Sequence, residues 1–230
     1  AEAASDVDVA FIAVGTPPGE TGEADLSHVL TAAEQVGRAI GRYTVIANKS
    51  TVPVGSAEKV VELVGRVARA PFDVVSNPEF LREGFAVEDF LRPERVVIGS
   101  SSERAIVLLK DLYEPFLQPD SKVIVMDETT CMVRVLARVS KFYAEESCGQ
   151  CTPCREGTGW LYRVIHRIET GKGRPEDLDL LNSVAENILG RTICALGDAA
   201  AMPVRSFLKH FRSEFEHHIE HGRCLVPDYL

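Results

Sequence analysis

The sequence predicts an open α/β layer with parallel strands, followed by an all-α bundle of four helices. Over residues 1–127, short apolar runs alternate with helical stripes, whereas residues 128–230 show helical periodicity alone. The charge changes at the same place: residues 1–127 carry 12 Lys and Arg against 20 Asp and Glu, and residues 128–230 carry 13 against 14. We therefore expect two domains, 1–127 and 128–230.

The first domain is predicted to alternate strands with helices. Residues 7–14 form an apolar run that stops at a turn rich in Gly and Pro, as expected of a strand buried on both faces. Asp25 can cap the next helix, because its carboxylate accepts hydrogen bonds from the first backbone N–H groups. In such a sheet, ligands bind beyond the carboxyl ends of the strands. Further strands are expected at residues 43–47, 72–76, 95–99 and 122–126, with helices through Val60 and Leu109.

The second domain is predicted to contain four amphipathic helices joined by short connections, which is typical of a small bundle. Three of them carry apolar residues at helical spacing around Leu136, Ile165 and Leu181. The last is expected to run without a break from Val204 to Ile219.

Three cysteines at a strict spacing of three, Cys148, Cys151 and Cys154, lie in the predicted loop between the first two of these helices. Cys194 follows in another loop, so the two loops can meet at one end of the bundle. Thiolates at this spacing can each bind a different iron of a cubane, and the distant cysteine closes the fourth corner. The pattern predicts a [4Fe-4S] cluster and hence an electron-transfer site. Structural zinc is the alternative, although it usually takes two separated C-x-x-C pairs.

The remaining cysteines lie outside this motif. Cys131 is expected to be a small core residue near a helix start, and Cys224 a bystander close to the end of the chain. His217 and His221 are four residues apart with Cys224 nearby, which makes a candidate metal site. A solvated, histidine-rich last turn is the more typical interpretation.

Composition limits the partners and the location. With a net charge of -9, the chain is not expected to bind nucleic acid, since such a face carries clustered Lys and Arg. No apolar run approaches the roughly 20 residues that span a bilayer, so direct membrane insertion is not expected. Cluster thiolates need a reducing compartment. We therefore expect a cytoplasmic protein, or one attached through partner subunits to the inner face of the inner membrane.

Three segments at the predicted strand ends carry a family resemblance: Val14–Pro18, Lys49–Gly55 and Asn77–Gly84. Together they resemble the UDP-glucose/GDP-mannose dehydrogenase family, and the likeness covers nearly all of residues 1–127. The resemblance implies a partial Rossmann-like domain. It also implies an NAD-dependent oxidation of a sugar nucleotide such as UDP-glucose.

The same resemblance assigns roles to individual residues. Thr51 would help to hold a catalytic water, and Glu83 would act as the general base with Glu79 nearby. A carboxylate and a hydroxyl at strand ends could indeed position water for hydrolysis of a thioester. The dinucleotide would be contacted by three residues of the first loop: Gly15, Thr16 and Pro17.

The departures from this family are as informative as the match. Nothing before Val7 supplies the family's first strand and its glycine-rich turn, whose backbone approaches the pyrophosphate. Beyond Asp127, the family's catalytic lysine, asparagine and cysteine have no counterpart. We therefore expect an incomplete NAD site and no complete turnover by this chain alone.

Residues 124–230 resemble a second family, the NADH-binding flavoprotein subunit of respiratory complex I, in its C-terminal part. The motifs that carry the likeness are Glu146–Gly157 and residues 192–198. The resemblance implies that a [4Fe-4S] cluster takes electrons from FMN and passes them towards quinone, with other redox subunits of a respiratory complex as partners. The family's FMN and NADH site has no counterpart here, so FMN is not expected on this chain. The implied cluster ligands are Cys148, Cys151, Cys154 and Cys194.

Together the two resemblances predict a chimera, joined near residues 123–127. The favoured function is an electron-transfer [4Fe-4S] module fused to an incomplete sugar-nucleotide dehydrogenase domain. Two alternatives stay open. One is an NAD-dependent oxidoreductase similar to UDP-glucose 6-dehydrogenase, and the other is a non-functional chimeric fragment whose first half only packs as an α/β layer.

Overall fold

The computed structural model describes residues 4–19, 24–82 and 84–225. The chain divides into two compact units, Ala1–Glu128 and Thr129–Leu230. Glu83, which the family resemblance makes a general base, lies outside the described residues.

The first unit is built on a five-stranded sheet in the order β1-β2-β3-β4-β5. The pairs β1-β2, β2-β3 and β4-β5 are parallel, which confirms the predicted α/β class. One pair departs from the parallel pattern, because β3 meets β4 antiparallel through Ser76 and Gly99. The strands are β1 (Val9–Ile12), β2 (Thr44–Asn48), β3 (Phe72–Ser76), β4 (Arg95–Gly99) and β5 (Lys122–Met126).

The segment between β3 and β4 explains the antiparallel pair. It contains a short helix, α3 (Ala86–Leu91), and none of the residues of α3 is buried. A parallel connection needs a crossover that usually packs a helix on the sheet. Because α3 does not pack in this way, the chain enters β4 in the opposite direction.

Helices cover both faces of the sheet at β2. All five residues of β2 are buried. Ile46 joins the core beneath α1 (Ser27–Ala39) and α2 (Ser56–Val67), whereas Val45 joins the core beneath α4 (Glu103–Tyr113). A strand with both faces covered has a continuous apolar run in its sequence, and this run located β2 to within one residue.

The second unit is a helical bundle, as predicted, around one buried core. Leu136, Ile165, Leu181 and Phe215 are each fully buried in it. Among the described helices of the chain, none combines the length and the apolar character needed to cross a membrane. The helices described in this unit are α5 (Met132–Glu146), α6 (Thr152–Glu169), α7 (Asp177–Ile188), α8 (Leu196–His210) and α9 (Arg212–His221).

The segment predicted as one last helix is two helices, α8 and α9, separated at Phe211. Phe211 leaves helical geometry, with φ at -124° and ψ at 22°. Its N–H still bonds the carbonyl of Phe207 and closes α8, while its own carbonyl accepts from the N–H of Glu214. No Gly or Pro marks this break, and the apolar spacing continues across it, so the sequence pattern does not show it.

A glycine lets α6 and α7 approach each other closely. A methyl group on Gly157 would lie 2.6 Å from Cδ1 of Ile188, which is almost fully buried. Gly157 belongs to the first turns of α6, immediately after the cysteine motif. The close packing of these two helices therefore supports the loop that carries the cysteines.

Candidate metal centre and strand-end loops

The first cysteine loop is a tight turn between α5 and α6. Gly149 has φ at 79°, a left-handed conformation that glycine adopts without steric cost. Arg155 donates a hydrogen bond from its guanidinium to the Gly149 carbonyl at 3.1 Å, which holds the turn against the helix. Cys151 directly precedes α6, and Cys154 lies in its first turn. Cys148 and Cys151 thus lie in the loop and Cys154 in the helix, whereas all three were expected in a loop.

The second cysteine loop connects α7 to α8 and is fastened by its own polar contacts. Thr192 donates from Oγ1 to the carbonyl of Cys194 at 2.9 Å. Asp198 accepts from the N–H of Gly190 at 2.7 Å, which closes the loop across its base. A methyl group on Gly197 would lie 2.6 Å from the Thr192 side chain, so the start of α8 packs directly against the loop.

The two loops meet at one end of the bundle. The backbone N–H of Ile193 donates to Sγ of Cys151 at 3.4 Å, although the two residues are 42 positions apart. Oγ of Ser147 lies 3.2 Å from Sγ of Cys154. Cys154 is buried and Cys151 half-buried, whereas Cys148 and Cys194 are exposed. The structure therefore brings the loop of Cys194 to the C-x-x-C-x-x-C turn.

The residues at this end of the bundle fit an iron-sulfur cluster. Four thiolates and the cluster they bind carry net negative charge, and the N-termini of α6 and α8 place positive dipole ends beside Cys151 and Cys194. Hydrogen bonds to the sulfur atoms, such as the one from Ile193, also tune such clusters.

In the first unit, two of the predicted strand-end loops are bound to each other. Thr16 donates from Oγ1 to the carbonyl of Thr51 at 2.9 Å. Oγ of Ser50 donates to the Val14 carbonyl at 2.7 Å and accepts from the Val14 N–H at 3.0 Å. The loop with Gly15, Thr16 and Pro17 therefore adjoins the loop with Thr51, where the sheet ends.

Glu79 lies in a different place, at the edge of a cavity of about 230 Å³. The residue is exposed, and its Oε2 accepts from the N–H of Leu81 at 2.6 Å. Lys49, Asn77 and Tyr113 also line this cavity, but Thr51 is not among the described lining residues. The structure thus groups Thr16 with Thr51, and Glu79 with Lys49.

A polar network that the sequence pattern does not predict lies behind Glu79. Lys49 donates from Nζ to the Tyr113 hydroxyl at 3.1 Å, and that hydroxyl donates to Oδ1 of Asn77 at 2.6 Å. Burial lowers the pKa of Lys49, although the carboxylate of Glu79 acts in the opposite direction. A lysine directly after a fully buried strand was the signal that could have shown this network.

The α/β sheet with joined strand-end loops and the helical unit with its four cysteines match two different families. Residues 1–117 match the NAD binding domain model of the UDP-glucose/GDP-mannose dehydrogenase family, and the chain belongs to that family. Residues 134–218 match the NADH-ubiquinone oxidoreductase-F iron-sulfur binding region. The predicted pairing of two families in one chain is confirmed.

Individual relatives match one half each. An NADH-quinone oxidoreductase subunit of Mycobacterium bovis is 55% identical over 100 residues, covering 44% of this chain and 22% of that protein. The corresponding protein of Streptomyces coelicolor is 58% identical over 98 residues, covering 43% and 22%. UDP-glucose 6-dehydrogenase of Pseudomonas aeruginosa is 52% identical over 131 residues, covering 55% and 29%. The chain therefore spans less than a third of each of these proteins.

Solved structures support the dehydrogenase fold. A UDP-glucose dehydrogenase from Pyrobaculum islandicum superposes with a TM-score of 0.53 at 33% identity, covering 94% of this chain and 54% of that one. A GDP-mannose dehydrogenase from Pseudomonas aeruginosa gives 0.52 at 26% identity, covering 94% and 55%. Both solved structures come from the dehydrogenase family that residues 1–117 match.

Proposed function

We propose that the helical unit binds a [4Fe-4S] cluster through Cys148, Cys151, Cys154 and Cys194 and transfers single electrons. The hydrogen bond from Ile193 to Sγ of Cys151 carries this proposal, since it joins the loop of the fourth cysteine to the loop of the other three. When bound, such a cluster supplies one-electron redox chemistry. The chain's own part is to hold the thiolates at two helix N-termini and to bury one side of the site.

The electron partners are other redox subunits of a respiratory complex, because the relatives of this half are named as subunits of NADH-quinone oxidoreductase. The side chain of Ile193 is 87% exposed next to the site and provides apolar surface for such a partner. Attachment through partners would place the protein on the inner face of the inner membrane.

Iron analysis tests this proposal. Protein purified without oxygen is expected to be brown, with about four irons per chain and a paramagnetic signal on reduction. A colourless protein that binds one zinc ion through these cysteines would overturn it.

We further propose that the first half, residues 1–127, is a separate domain from residues 128–230 and contacts NAD through Gly15, Thr16 and Pro17 in an incomplete site. Thr51 and Glu79, together with Glu83, are the candidate catalytic residues for a sugar-nucleotide substrate. The bond from Thr16 to the Thr51 carbonyl favours this second function, because it couples the dinucleotide loop to a catalytic loop.

Replacing Thr16 by Val should weaken NADH binding about two- to tenfold, since the hydroxyl that fastens the two loops is lost. The decrease can be measured by titration calorimetry on the full chain. Thr31→Val is the matched control, because Thr31 is an exposed threonine on α1. Equal affinities in the two variants, or no NADH binding by the parent chain, would contradict the proposed role and favour an inert first half.

A further inference from the structure

A second group of metal-ligating side chains lies where the helical unit begins and ends. Cys131 directly precedes α5, the first helix of the unit, while His218 belongs to α9 and Cys224 follows it. One ligand atom from each residue lies within 4.8 Å of the other two. Sγ of Cys131 is 3.4 Å from Nε2 of His218.

These are not the two histidines that the sequence spacing offered as a candidate metal site on α9. The rings of His217 and His221 stack on each other, with centroids 4.2 Å apart, and do not join the group. His218 is only 2% exposed and lies three positions after Phe215, on the apolar side of the helix. Cys131 is buried as expected, but it contacts an imidazole instead of apolar core alone.

Backbone N–H groups at the start of α5 contact Cys131 and the neighbouring Glu214. The N–H of Arg134 donates to Sγ of Cys131 at 3.4 Å, at the N-terminus of α5, so a thiolate there faces a positive dipole end. Nδ1 of His218 is buried without a hydrogen-bond partner of normal geometry. Glu214 on α9 accepts from the N–H of Met132 at 3.0 Å and already fastens this helix to the start of α5.

Burial disfavours a charge on Cys131 and on His218. Burial raises the pKa of the Cys131 thiol to about 12, and the Cys224 thiol adds to the effect. Burial also lowers the pKa of His218, although the carbonyl of Ile168 acts in the opposite direction. A neutral imidazole offers the lone pair that a metal needs, and a divalent cation compensates the charge of two thiolates.

We propose that Cys131, His218 and Cys224 bind one Zn²⁺ ion, with water in the fourth position on the half-exposed side of Cys224. Two thiolates and one imidazole are ligands that zinc prefers. Binding releases one proton from each thiol to solvent, so charge and atoms balance. In tetrahedral zinc sites the ligand atoms stand about 3.4–3.8 Å apart, so the present group has to contract by only about 1 Å.

The ion would fasten the first helix of the unit to the last. Cys131 and Cys224 lie at opposite ends of the unit in sequence but side by side in the fold. Because the ion binds the folded unit and not the unfolded chain, it stabilises the unit by mass action. The site is independent of the cluster cysteines and of the electron transfer proposed for them.

Zinc content of the iron-loaded full chain tests the proposal. Loading the cluster first occupies its four cysteines, so that any zinc must bind elsewhere. We expect one zinc per chain in addition to iron, and an X-ray absorption spectrum at the zinc edge with two sulfurs at about 2.3 Å and one nitrogen at about 2.0–2.1 Å. Zinc at 100 times its Kd should raise the Tm of the helical unit by about 10 °C.

Variants separate this site from the cluster. Cys224→Ser and His218→Gln should each weaken zinc binding on the order of 100-fold, measured by competition with a chromophoric chelator, while the iron content stays unchanged. His221→Gln is the matched control and should keep both metals. Cys224 is only half-buried, so Cys224→Ser tests the proposal even if His218→Gln does not fold.

Three results would overturn the proposal. They are an iron-loaded protein without zinc, a zinc spectrum with four sulfurs and no nitrogen, and a disulfide between Cys131 and Cys224 in protein prepared without oxygen. A colourless protein that binds zinc through two sulfurs and one nitrogen would refute the cluster and leave the zinc site standing.

Discussion

Replacing Cys151 by Ala is expected to abolish the iron-sulfur cluster, lowering iron from about four atoms per chain to less than one. Cys151 occupies the centre of the site, since it lies between Cys148 and Cys154 in the turn and accepts the hydrogen bond from Ile193. Removing its sulfur leaves one iron without a protein ligand. It also removes the hydrogen bond that joins the loop of Cys194 to the turn. Iron analysis and the visible spectrum of protein prepared without oxygen measure this loss.

Thr152→Ala is the matched control. Thr152 is the next residue, is exposed and begins α6, so the change removes a side chain of similar size without removing a sulfur. This variant should keep its iron and its colour. If Cys151→Ala keeps four irons, or if both variants lose them equally, Cys151 is not a cluster ligand.

Replacing Arg167 by Met should lower the free energy of unfolding of the helical unit by about 3 kcal/mol. Asp177, at the start of α7, is 0% exposed, and its carboxylate pairs with the guanidinium of Arg167. Nε of Arg167 donates to Oδ2 at 3.1 Å, and the N–H of Arg174 donates to the same oxygen at 2.9 Å. Without Arg167, a buried carboxylate remains with its countercharge removed, which costs more than the pair itself contributes.

Urea unfolding followed by tryptophan fluorescence measures this effect in the helical unit alone, because Trp160 is the one tryptophan of the chain. Arg163→Met is the control, since Arg163 is exposed and only stacks over the Trp160 ring at 5.7 Å. Arg167→Met combined with Asp177→Leu should recover much of the lost stability, as both charges are then gone. Equal losses in the two arginine variants would contradict the explanation.

The local pattern of apolar runs and turn residues located most of the secondary structure. The strands at 72–76, 95–99 and 122–126 begin and end at the residues predicted from their apolar runs. Those runs are visible because the strands are rich in β-branched apolar residues and each ends at turn residues. By contrast, the short helix α3 was not predicted, because its six residues are too few to show a helical period.

Among the candidate sites, too, local spacing predicted one and did not predict the other. The spacing of Cys148, Cys151 and Cys154 predicted a cluster because neighbouring ligands on one turn are a local property of the chain. The group of Cys131 with His218 was not predicted, since its members are 87 residues apart. The break at Phe211 precedes His218, and it too leaves no mark in the apolar spacing.

By itself, the sequence determined the five strands and most of the helices, the division into two halves of different families, and the cysteine pattern, because each depends on residues close together in the chain. Only the tertiary structure decided the antiparallel pairing of β3 with β4, the joining of Ile193 to Cys151, the network of Lys49 with Tyr113, and the meeting of Cys131 with His218. These depend on contacts between distant segments. Hydrophobic periodicity shows which face of an element is buried, but not which side chain it meets there.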